Sequence, residues 1–139
     1  MTRQRDLALG AVAFLAANLL HGLDHLRQGL GGLTPEVLAG GSVLTVAAVA
    51  TLVLVLRGSP RAPLAAAVVG LWSALGVAAS HLAPHWSAFS DPYPDLDVDA
   101  LSWVVMLAEI AAALTLGVLG LRELRARAMP GRWLSGSTS

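Results

Sequence analysis

Four histidines and a few acids stand out in a chain that is otherwise strongly apolar, and their spacing defines the chemistry to consider. Asn18, His21, Asp24 and His25 fall in one stretch. At about 100° per residue, Phe14, Asn18, His21 and His25 share one helix face within about 60°, and Asp24 lies about 60° beyond His21. A His-x-x-Asp-His pattern of this kind can chelate an ion from a single helix. His81 and His85 are a second pair at helical spacing, but Pro84 disfavours helical geometry at Ala83 and places His85 on a loop. Glu109 is the deepest acid in its apolar segment, about 15 Å from that segment's nearer end.

Imidazole combined with carboxylate suits a divalent transition metal such as Zn, Fe, Cu or Mn. The expected ligands are His21, His25 and His81, with Asp24 or Glu109 as the carboxylate. Asn18 and His85 are expected to hold the cofactor from behind. Glu109 and Asp24 are the candidates for acid or base chemistry if the site is catalytic. Two other readings use the same residues. One is a b-type haem held between histidines of two helices, with a quinone as redox partner. The other is a buried hydrogen-bond network in which His21 pairs with Asp24 and Glu109 with Ser102, as in a proton-coupled carrier or a non-catalytic accessory subunit.

Composition dictates the elements that position these groups. Of 139 residues, 55% are hydrophobic and 13% charged, against roughly 25% charged in soluble domains. Nine basic residues, all Arg, balance nine acids, so there is no basic footprint for nucleic acid. The absence of cysteine removes disulfides, thiolate metal sites and thiol nucleophiles. Calcium loops, phosphate loops, nucleophile elbows and dinucleotide fingerprints are not present.

About 20 apolar residues cross a hydrocarbon core of roughly 30 Å, and the chain has room for four such spans. They are expected at about 7–26, 35–56, 62–82 and 98–121. Thr34-Pro35-Glu36 reads as a helix start, and Pro84 ends the third span. Residues 130–139 read as a disordered Gly/Ser tail. The fold expected is all-α, one integral membrane domain over residues 1–139 forming a four-helix antiparallel bundle.

Threading four spans puts Arg3, Arg5, Arg57, Arg61, Arg122, Arg125, Arg127 and Arg132 on one side and only Arg27 on the other. Cytoplasmic flanks collect arginine, so both termini are expected in the cytoplasm and the protein in the plasma membrane. All four histidines then fall in the outer leaflet. Small residues, Gly40, Gly41, Ser42 and Thr45 on the second span and Gly70, Ala74 and Val77 on the third, are expected where helices approach closely. Trp86, Trp103 and Trp133 read as interface anchors, and Trp72 as facing lipid or a partner chain. Asp97 or Asp99 is expected to cap the fourth helix. The partners expected are the bilayer and a second copy of the chain or a larger membrane complex.

Overall fold

The computed structural model describes residues 2–29, 31 and 33–128, and the expected tail at 130–139 lies outside the described residues. Four helices form the bundle: α1 (Thr2–Gln28), α2 (Pro35–Leu56), α3 (Ala62–His81) and α4 (Ala100–Ala128). Each is long and apolar enough to cross a membrane. The ends follow local chemistry. Gly29, in the left-handed region at φ 93°, terminates α1 where a side chain would be strained. Thr34 accepts the Val37 N–H at 3.2 Å, and Pro35 occupies the first turn, where its missing N–H costs nothing. Helix α3 stops at His81, three residues before Pro84, so His85 leaves the helix as the sequence implies. Asp99 caps α4 by accepting the Ser102 N–H at 3.1 Å.

Two helices outrun their expected limits. Helix α1 starts at Thr2 and α4 continues to Ala128, because hydropathy marks only the part inside hydrocarbon, whereas the backbone ladder continues through polar residues. At the far end of α4, Glu123 accepts from Arg127 at 3.0 Å, an i,i+4 pair that supports the exposed turns.

The helices pack in a ring, each against its neighbours in sequence and α4 back against α1, with α3 and α4 the most intimate pair. Gly70 lies against the backbone of Ala113 and Gly117, and Gly120 against that of Pro63 and Ala67. A Cβ at either glycine would run into main-chain atoms, so these two helices touch backbone to backbone. The pairing of 70 with 117 and of 67 with 120 also shows that α3 and α4 run in opposite directions. On α2 the outcome differs from expectation. Gly41 meets nothing, and Gly40 faces only the Phe89 ring. These two glycines therefore bring no helix backbone close, whereas Thr45 of the same stretch donates its hydroxyl to Asn18 Oδ1 of α1 at 2.7 Å.

Phe14, Ala66, Met106, Ala113 and Leu116 are completely buried along the bundle axis. Trp72, Val43 and Val46 project outward at 73%, 70% and 69% exposure, a surface that only an apolar solvent would cover favourably.

Candidate metal centre

At one end of the bundle, His21 and His25 of α1 meet His81 at the last turn of α3, and one ligand atom from each lies within 4.8 Å of the others. The ring centroids are 4.6 Å apart for His21 and His25, 4.9 Å for His21 and His81, and 5.4 Å for His25 and His81. His21 and His81 are buried and His25 is half-buried.

The partners of two rings establish which nitrogens face the centre. The Nδ1 of His81 lies 3.0 Å from the main-chain carbonyl of Asp91, which can only accept, so Nδ1 carries the proton and Nε2 a lone pair. On His21, Nδ1 lies 2.5 Å from Glu109 Oε2, and with Glu109 as carboxylate the same logic leaves a lone pair on Nε2. That nitrogen stands 3.2 Å from the Tyr93 hydroxyl. Burial pushes the Tyr93 phenol up to about 12, so without an ion it is a neutral donor.

Glu109, 1% exposed, is held from its other side. Asn18 donates its Nδ2 to Glu109 Oε1 at 2.8 Å, and Thr45 donates its hydroxyl to Asn18 Oδ1 at 2.7 Å. Three helices thus contribute to a chain running from half-buried Thr45 through buried Asn18 and Glu109 to His21. A carboxylate bonded to the back nitrogen of a metal-ligating histidine is the usual way such a ring is oriented and made more basic.

Asp24 sits elsewhere. It accepts from Arg27 Nε at 2.8 Å and from Gln28 Nε2 at 2.6 Å, and Arg27 continues to Asp99 at 2.9 Å and to Ser102 at 3.1 Å. This polar clamp ties the end of α1 to the start of α4. The Ser102 N–H and the Arg27 guanidinium hold the Asp99 carboxyl below the usual range. The pairings named from sequence are accordingly exchanged: His21 bonds Glu109 instead of Asp24, and Ser102 bonds Asp99 and Arg27 instead of Glu109. The 60° step between His21 and Asp24 turns them toward different residues of α4. His85 is exposed on the loop after α3 and takes no place in the centre.

Tyr93 is the residue that the sequence reading missed. It begins a short 3-10 turn, Tyr93–Asp95, and is 1% exposed, with its ring 4.6 Å from His81 and 5.6 Å, edge-on, from Trp103. Its signal was its position as the sole tyrosine, between Pro92 and Pro94 in an otherwise acidic loop. Asp91 joins through its main chain, and burial raises its carboxyl. Comparison of the chain with protein-family models, curated proteins and solved structures gave no match.

Proposed function

We propose that this chain is a small integral membrane protein that binds one divalent transition metal through His21, His25 and His81. Both termini lie in the cytoplasm, and the centre lies in the outer half of the bundle. The orientation follows from the arginine asymmetry and the depth from the position of the histidines near the ends of α1 and α3. The observation that carries the reading is the convergence of three imidazoles with one ligand atom each within 4.8 Å of the others; Nε2 of His81 and Nε2 of His21 keep lone pairs, the latter 3.2 Å from the Tyr93 hydroxyl. Lone pairs gathered in a buried site repel one another unless a cation or donor lies between them.

Imidazole nitrogen ligands suit Zn, Cu and Fe. Glu109 acts from behind His21, with Asn18 and Thr45 fixing it, and Asp24 belongs to the clamp that holds α1 against α4. The 4.9 Å between the His21 and His81 rings supports a single ion over haem, since a porphyrin would have to pass between axial imidazoles.

The test is metal analysis of protein purified in detergent without a polyhistidine tag, then reconstituted with Zn(II), Cu(II) or Fe(II). One ion per chain is expected, falling to none in His81→Ala. A wild-type chain that takes up no metal, or a His81→Ala chain that keeps full occupancy, would overturn the assignment.

A further inference from the structure

The reading of the three histidines as a metal centre leaves a fourth position, and that position decides what the centre does. Catalytic zinc sites keep one coordination place open for water or substrate, whereas closed four-ligand sites hold the ion. We infer that Tyr93 supplies the fourth donor, which makes this a closed centre that holds a metal ion instead of activating water. The inference rests on the metal reading above and adds the group that completes it.

Geometry is the first support. Ligands at about 2.0–2.1 Å around a tetrahedral ion stand about 3.3 Å from one another. The Tyr93 hydroxyl lies 3.2 Å from His21 Nε2, the separation of two adjacent donors on such an ion. The phenol is also fixed in place. Its ring packs against His81 and Trp103, and the loop that carries it is tied down where Asp91 N–H donates to Ser80 O at 2.9 Å and Leu96 N–H to Tyr93 O at 3.2 Å. With 1% of its surface exposed, Tyr93 is itself kept from solvent.

Charge is the second support. A dication in an apolar bundle is costly unless balanced nearby. As the ion arrives, the Tyr93 oxygen bonds to it and its O–H proton leaves to solvent. The phenolate then places one negative charge on the ion itself, and the carboxyl groups of Glu109, behind His21, and of Asp91, 3.5 Å from His81 Nδ1, stand close by.

The single tyrosine of the chain makes the test direct, because any phenolate signal belongs to Tyr93. Protein loaded with Cu(II) is examined by absorption and resonance Raman spectroscopy and then titrated with sodium azide. Wild type is expected to show a phenolate-to-copper charge-transfer band and no change with azide. Tyr93→Phe, which keeps the ring packing, is expected to bind one copper per chain, lose that band and acquire an azide-to-copper band. A wild-type complex without phenolate modes, or one that takes azide as readily as Tyr93→Phe, would overturn the proposal while leaving the three-histidine centre standing. Wild type that binds no copper overturns both readings. If Tyr93→Phe does not fold, the wild-type spectrum and its response to azide decide the matter alone.

Discussion

Glu109→Gln distinguishes an orienting carboxylate from a ligand and from a merely buried acid. Glu109 accepts two N–H groups, from Asn18 at 2.8 Å and His21 at 2.5 Å. An amide has one acceptor oxygen and one NH2, so a glutamine that keeps its oxygen on His21 presents its NH2 to Asn18. Asn18 can answer by turning its own amide, which places its NH2 toward Thr45. Thr45 can then accept, because its hydroxyl proton has a second acceptor in Gly41 O at 3.0 Å. Every buried group keeps a partner, and the variant is expected to fold with unchanged helical content.

What the variant loses is the negative charge behind His21. Groups in that position are typically worth 10–100-fold in metal affinity, or about 1.4–2.7 kcal/mol. The assay is a competition titration against a chromophoric chelator in detergent, with circular dichroism as the control for folding. An unchanged Kd would refute the role assigned to Glu109. Complete loss of the ion from an intact bundle would make Glu109 a ligand and refute the geometry in which it acts through His21.

His21→Ala removes one of three imidazoles together with the link to Glu109 and is expected to abolish metal binding; full occupancy by metal analysis would end the assignment. Asp24→Asn is expected to leave one ion per chain while lowering Tm, because its carboxylate is spent on Arg27 and Gln28. Gly70→Val should destabilise by about 1–3 kcal/mol through overpacking against α4. Gly76→Ala, on the same helix with nothing within 4 Å, should instead stabilise by about 0.5–1 kcal/mol. Both are read from unfolding in detergent, and equal effects would refute the backbone contact. Acidification should release the ion, since imidazole binds metal only when neutral, and a Kd independent of pH would argue against histidine ligation. A cysteine placed at Ser59 should resist an impermeant thiol reagent applied to intact cells, and one at His85 should react; the reverse pattern would invert the orientation.

Much of this protein is determined by its sequence over short range. Four apolar runs, the capped start at Thr34-Pro35, the stop before Pro84 and the polar face of α1 each depend on neighbouring residues, so hydropathy, capping and helical period suffice to locate them. The same logic puts His21, His25 and His81 at one level of the bundle, because helix direction alternates and each residue advances by a known rise. Which polar groups meet was decided only by the packing of the helices. Backbone contact at Gly70, Gly117 and Gly120 positions α4 against α3, and the placing of α1 against them turns His21 toward Glu109 and brings Arg27, with Asp24 bonded to it, to Asp99 and Ser102 at the start of α4. A rotation of α1 by about 60° would take His21 off Glu109, and no spacing along one helix encodes that angle. Tyr93 lay further still from view. It reaches the centre on a loop whose path is set by distant contacts, Asp91 to Ser80 and the Tyr93 ring to Trp103, and such contacts exist only once the helices are assembled.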